Sequence, residues 1–136
     1  MMDKTIKIEI LTPYGKYLES DILFLEVQTI DFRLGILPGH TPLISALPIS
    51  IMKIKFIDTT YSYSIGGGVI NITKDRITLL LDSIEREDEI DLSRAKAALE
   101  RANNRLIERK EYLDEKRAKL ALSRAQNRIS LLERNS

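Results

Sequence analysis

Apolar and polar residues alternate along the first part of this chain and recur at intervals of three and four along its last third. From Thr5 to Leu11, Ile6, Ile8 and Ile10 fall on one face and Lys7 and Glu9 on the other, the period of two that a half-buried strand requires. From Ile22 to Thr29, Leu23, Leu25 and Val27 oppose Phe24, Glu26 and Gln28. From Ile49 to Ile57, Ile49, Ile51, Lys53 and Lys55 share a face, and Thr60–Ile65, Val69–Thr73 and Ile77–Leu81 complete the set of predicted strands. Pro13-Tyr14-Gly15 supplies turn chemistry after the first. Many short strands separated by turn residues predict an antiparallel sandwich or barrel. Further on, Leu92, Ala95, Leu99, Ala102 and Leu106 trace one helical seam, and Ala118, Leu122, Ala125, Ile129 and Leu132 trace another. Asp91 and Asp114 are the predicted N-caps, with the turn over Lys110 to Leu113. The two helices then form an antiparallel hairpin. Its Ala/Leu seam buries little area, so the hairpin draws stability from docking on the β domain, a partner or a ligand.

The breakers agree with this division. All six glycines and all four prolines lie at or before Gly68, where short elements need punctuation; helix interiors expel both residues. The predicted domains are residues 1–86, β-rich, and residues 87–136, helical. Charge changes at the same place. Glu85, Glu87, Asp88, Glu89 and Asp91 make an acidic lead-in to the first helix, and Lys116, Arg117, Lys119, Arg124, Arg128 and Arg134 make the second helix basic. Both distributions suit the helix dipoles.

Composition narrows the chemistry. With 43% hydrophobic and 30% charged residues among 136, the chain has a globular balance. A net charge of +1 gives no whole-chain attraction to nucleic acid or acidic lipid. The absence of cysteine excludes disulfides and thiolate sites, and a single histidine, His40, argues against a histidine metal cluster or a catalytic triad. No apolar run is long enough to span a bilayer and no secretory h-region is visible, so the sequence reads as soluble and intracellular.

No catalytic constellation assembles. Nucleophile elbow, HExxH, Walker and GxGxxG motifs are absent. Gly66-Gly67-Gly68 lies between predicted strands with no following Gly-Lys-Ser/Thr, which makes it a bulge or tight turn. His40 in a Pro-Gly loop reads as structural, and Asp31, Asp58, Asp75 and Asp82 read as turn caps. The arginines are the remaining candidates. Arg94 and Arg101 share one face of the first helix, and Arg124 and Arg128 one face of the second. Folded together they could clamp a polyphosphate through bidentate guanidinium bonds, but spacing alone favours solvated arginines or ion pairs with an acidic surface.

Leu34-Gly35-Ile36-Leu37-Pro38-Gly39-His40-Thr41-Pro42-Leu43 resembles the signature loop of the epsilon subunit of the rotary F-type ATP synthase. Around it, Leu11-Thr12-Pro13-x-Gly15, the glycines before Val69, Ile77-Thr78-Leu79 and Ile90-Asp91-Leu92-Ser93-Arg94-Ala95 follow in the family's order across essentially the whole chain. The resemblance implies an N-terminal antiparallel β-sandwich of ten strands followed by an α-helical hairpin, in a non-catalytic subunit that requires no cofactor. It implies that the sandwich binds the gamma subunit and the c-subunit ring at the foot of the rotor, and that the hairpin folds down or extends into the alpha/beta catalytic ring to inhibit ATP hydrolysis. It places the subunit at the cytoplasmic face of the bacterial cell membrane, touching the membrane only through the c ring of a proton-translocating complex, with no nucleic-acid partner. Some family members bind ATP as a regulatory ligand, and that pattern carried over falls on Glu85, Asp91, Arg94, Ala95, Arg101, Arg124 and Arg128. Phe32 and Arg33 depart from the family's turn before the signature loop, and Gly68 stands where many members carry a bulkier residue, a change expected to loosen a strand start. A free-standing ATP-sensing module and a β-domain RNA binder are the alternatives; the net charge of +1 and sparse strand aromatics weigh against the second.

Overall fold

The computed structural model describes residues 4–108 and 112–134, and the chain divides into two compact units, Met1–Arg86 and Glu87–Ser136. The first contains eight strands among the described residues: β1 (Ile6–Thr12), β2 (Gly15–Ile22), β3 (Phe24–Gln28), β4 (Arg33–Ile36), β5 (Leu43–Lys55), β6 (Thr60–Ile72), β7 (Arg76–Leu81) and β8 (Ile84–Arg86). The second contains a 3-10 turn (Glu87–Glu89) and the helices α1 (Leu92–Glu108) and α2 (Tyr112–Arg134).

Two long strands make the sandwich. Hydrogen bonding runs in the order β2-β1-β7-β6-β5-β3-β4, with β8 on β6. Leu43–Leu47 of β5 pairs with Gly68–Ile72 of β6, and Ile49–Lys55 pairs with Thr60–Gly66; the ladder skips Pro48 and Gly67. At that bend both strands pass from one layer to the other. One layer is β2, β1, β7 and the later half of β6 with the earlier half of β5; the other is β8, β4, β3 and the remaining halves. Each long strand thus contributes a half to each layer, which reconciles eight continuous strands with the ten expected. The pairing is antiparallel except that β1 and β7 run parallel.

The alternation read from the sequence fills the space between the layers. Ile6, Ile8 and Ile10 are buried, as are Leu25 and Val27 of β3, Met52 and Ile54 of β5, and Ile77, Leu79 and Leu81 of β7. Ile49, Ile51, Lys53 and Lys55 share the other face of β5. Several strand predictions need correction. The run from Ile22 to Thr29 is broken at Leu23, whose N–H bonds the Lys55 carbonyl at 2.9 Å, and Leu23 is only partly buried. The strands predicted over Thr60–Ile65 and Val69–Thr73 are one, β6, which ends at Ile72, and the three glycines lie inside it at the bend. β2, β4, β8 and the first half of β5 were not predicted. β2 alternates weakly, and β4 lies within the Gly- and Pro-bearing signature loop.

The glycine bend has a steric cause. As the chain passes from β7 to β8, Asp82 N–H bonds the Gly67 carbonyl at 2.9 Å and Gly66 N–H bonds the Ser83 carbonyl at 2.9 Å. A Cβ on Gly66 would stand 2.1 Å from Ser83 Oγ, and one on Gly68 2.0 Å from the Leu80 carbonyl oxygen. Gly68 therefore does not loosen a strand start: it sits within β6, paired with Leu47 and Leu81, where β6 and β7 approach too closely for a side chain. The Phe32–Arg33 departure is also absorbed locally. Thr29 Oγ1 donates to the Phe32 carbonyl at 2.8 Å and accepts Phe32 N–H at 3.1 Å. Arg33 bonds Glu26 at 3.1 Å and the Ile51 carbonyl at 2.9 Å, tying β4 to β3 and β5. His40 has a structural position: its N–H bonds the Leu37 carbonyl at 3.1 Å and its Nδ1 lies 2.6 Å from the Thr41 carbonyl.

Helix α1 starts as predicted, but α2 begins at Tyr112, so Asp114 falls in its first turn rather than at its cap. Of the predicted turn, Lys110 and Glu111 lie outside the described residues, and Tyr112 and Leu113 belong to the helix. The two helices pack on each other as a hairpin. Among the described residues, Ala95, Ala102, Ala118, Ala125 and Leu131 are its buried ones. Leu92 is 38% exposed and Leu132 is only partly buried, so the seam is narrower than the apolar pattern implied and rests mainly on alanine. No helix among the described residues is long and apolar enough to cross a membrane.

Candidate functional site

Helix α1 is started by Asp91, the second residue of the ATP pattern. Asp91 Oδ1 accepts the Arg94 N–H at 3.1 Å, and the Asp91 carbonyl accepts the Ala95 N–H at 3.0 Å. This is N-cap geometry, with the side-chain oxygen filling a donor that the first turn leaves open. Ala95 is 3% exposed and its amide is engaged, so this structure gives it a packing position.

Each of the four seam alanines follows an arginine: Arg94-Ala95, Arg101-Ala102, Arg117-Ala118 and Arg124-Ala125. One residue turns a helix by about 100°, so every one of these arginines stands beside the seam. In a hairpin the helices run in opposite directions, and the residue preceding the seam on each therefore falls on the same face. Arg105 and Arg128, three residues beyond Ala102 and Ala125, turn toward that face as well. Arg94, Arg101, Arg105 and Arg117 are exposed, and Arg124 and Arg128 are half-buried. The opposite face carries Leu99 from α1 with Gln126, Ile129 and Ser130 from α2, which line a shallow groove of about 440 Å³.

The hairpin thus gathers Asp91, Arg94, Ala95, Arg101, Arg124 and Arg128 in one unit. Glu85 belongs to the other: it lies half-buried in β8, in register with Ser64 of β6. No group of acidic residues and histidines able to hold a metal ion occurs among the described residues. Arg105 and Arg117 share the arginine face but were not among the predicted site residues. The signal that finds them is an internal repeat. The pattern Asp-x-x-Arg-Ala-Lys-x-Ala-Leu-x-Arg-Ala-x-Asn-Arg runs from Asp91 to Arg105 and again from Asp114 to Arg128.

Comparison with known proteins places both units. Residues 5–87 match the family model of the beta-sandwich domain of the ATP synthase delta/epsilon chain, and residues 88–133 match that of its long alpha-helix domain. The ATP synthase epsilon chain of Anoxybacillus flavithermus is 41% identical over 103 residues, covering 76% of this chain and 77% of the relative. That of Bacillus subtilis is 38% identical over 103 residues, covering 76% and 78%. Among solved structures, a chain of the Euglena gracilis mitochondrial ATP synthase in its OSCP/F1/c-ring assembly aligns with a TM-score of 0.78 at 17% identity, covering 90% of this chain and 78% of the other. A chain of the Tetrahymena thermophila central stalk and c ring aligns with a TM-score of 0.62 at 15% identity, covering 97% and 99%. At these identities the structural likeness is one of fold, while the family models span both units and the bacterial relatives span most of the chain. The chain belongs to the epsilon-chain family of the F-type ATP synthase, a family of non-catalytic subunits.

Proposed function

We propose that this chain is a central-stalk rotor subunit of a proton-translocating F-type ATP synthase at the cytoplasmic face of the bacterial membrane. The sandwich joins the gamma subunit to the c ring, and the hairpin restrains ATP hydrolysis in the alpha/beta catalytic ring. The observation that carries this reading is the match of both units to the delta/epsilon family. The solved structures of similar fold, drawn from OSCP/F1/c-ring and central-stalk assemblies, support it further.

The hairpin is the regulatory part, and ATP is its ligand. Arg94, Arg101, Arg124 and Arg128 offer guanidinium forks to the phosphates, with Asp91 and Ala95 shaping the first turn. An alanine seam makes folded and extended forms differ by a few kcal/mol, a range in which a ligand can choose between them. Shifting such an equilibrium from 1:99 to 99:1 takes about 5.5 kcal/mol of differential binding, which several charge-assisted bonds to a triphosphate can supply. Without ATP the hairpin extends. A helix of the 23 residues of α2 is about 35 Å long at 1.5 Å per residue, and its basic side chains then meet acidic surfaces of the catalytic ring.

Titration calorimetry of ATP into the purified chain tests the ligand. Wild type should bind with measurable heat, and Arg124→Ala/Arg128→Ala should bind at least about tenfold more weakly, the equivalent of one charge-assisted bond. No heat from wild type at millimolar ATP would remove ATP from this reading and leave the rotor role standing.

A further inference from the structure

The repeat has a geometric consequence. An antiparallel helix pair has an approximate two-fold axis perpendicular to its plane, and the repeat supplies the matching residues. Arg94, Arg101 and Arg105 of α1 correspond to Arg117, Arg124 and Arg128 of α2. The seam alanines follow the same symmetry, with Ala95 and Ala102 at 3% and 1% exposed and their counterparts Ala118 and Ala125 both at 0%, although Arg124 and Arg128 are half-buried where Arg101 and Arg105 are exposed. Applied to the proposed ATP quartet of Arg94, Arg101, Arg124 and Arg128, the axis generates a second quartet: Arg117, Arg124, Arg101 and Arg105. The two share Arg101 and Arg124 and extend toward opposite ends of the hairpin.

We propose that Arg101, Arg105, Arg117 and Arg124 form a second phosphate-binding half-site, so that the arginine face takes a linear polyphosphate longer than a triphosphate. Arg94 and Arg105 are separated by about 16 Å along α1 at 1.5 Å per residue, so the face is an elongated track. Its floor is small: Ala98 and Ala121, equivalent positions in the repeat, are half-buried on this face. Arginines rise on both sides, and each guanidinium grips phosphate oxygens in a bidentate fork. A shallow, alanine-floored track walled by guanidiniums suits a narrow unbranched anion better than the bulk of an acidic helix. A chain engaging both quartets gains by multivalency what neither quartet gives alone. The inference rests on the arginine face being a phosphate surface, as the proposed ATP role requires.

The test uses the full chain in solution, with inorganic triphosphate, a medium-chain linear polyphosphate and ATP as separate probes in calorimetry. Wild type should bind the longer chain about tenfold more tightly than triphosphate, because the second quartet adds its own bonds. Arg105→Ala/Arg117→Ala should abolish that gain and leave triphosphate binding within about twofold. Lys96→Ala/Lys119→Ala removes two charges from equivalent repeat positions on the opposite flank of the seam and should leave the gain intact. Equal binding of the two phosphates by wild type would overturn the proposal and leave Arg105 and Arg117 to an acidic protein surface. So would a gain that survives the arginine variant, or one that the lysine variant also loses. ATP binding that depends on Arg124 and Arg128 without any chain-length gain would sink the second half-site alone. Polyphosphate binding without ATP binding would sink the ATP role alone.

Discussion

Gly68 shows how one residue records a constraint that its neighbours in sequence do not. Its φ is +155° and a Cβ there would lie 2.0 Å from the Leu80 carbonyl oxygen, whereas Gly39, with φ +84°, has nothing within 4 Å of its Cβ position. Gly68→Ala must push β6 from β7, and the expected loss is about 3 kcal/mol, the upper range for overpacking. Gly39→Ala should lose about 1 kcal/mol, from backbone strain alone. Urea unfolding midpoints read both, and equal losses would mean that backbone conformation, not strand approach, fixes Gly68. The triglycine was legible as a bulge or tight turn between two strands, and not as a bend inside one strand. What it makes room for was not, since Leu80 and Ser83 reach it through strand pairing rather than chain adjacency. Asp91 was fully legible as a cap: the bond to Arg94 N–H is local and depends only on residue type and position. Arg33 was not, because its acceptors, Glu26 and the Ile51 carbonyl, lie on neighbouring strands.

At the scale of elements, strands with clean alternation were found and those without it were missed. β1, β3 and β7 each bury one face and carry the period plainly in their sequences. β2 carries Lys16, Glu19 and Asp21 among its residues and lies at the edge of its layer, so little apolar pattern is demanded of it. In the hairpin the periodicity located both helices but overstated their apolar contact, because Leu92 and Leu132 fit the period without being fully buried. The alanines set the approach of the helices. Ala118→Leu, at a position 0% exposed, should cost about 1–3 kcal/mol by overpacking the seam. Ala97→Leu, at an exposed position, should change stability by less than about 0.5 kcal/mol. Hydrogen exchange in α1 and α2 separates the two: faster exchange confined to the Ala118 variant is the expected result, and unchanged exchange there would mean that the seam does not hold the helices together. The internal repeat is fully present in the sequence, as a correspondence between the two helices rather than a period within either.

For the molecule as a whole, the division into Met1–Arg86 and Glu87–Ser136 gives the regulatory proposal its sharpest test. Truncation after Asp88 removes both helices and leaves every strand of the sandwich. The shortened chain should bind the gamma subunit within about twofold of the full chain and should lose its inhibition of ATP hydrolysis. Inhibition that persists after truncation would take regulation away from the hairpin. The sequence by itself determined the two-part architecture, the core face of the patterned strands, the start of α1 and the family, because each depends on local periodicity, breaker residues or an unbroken motif. Only the tertiary structure decided that β5 and β6 run through both layers, that the glycines clear space for the β7–β8 crossing, that Arg33 anchors three strands and that the helix seam rests on its alanines more than on its leucines. Those features depend on which distant segments come to lie side by side, and pairing at long range leaves no period in the chain that makes it.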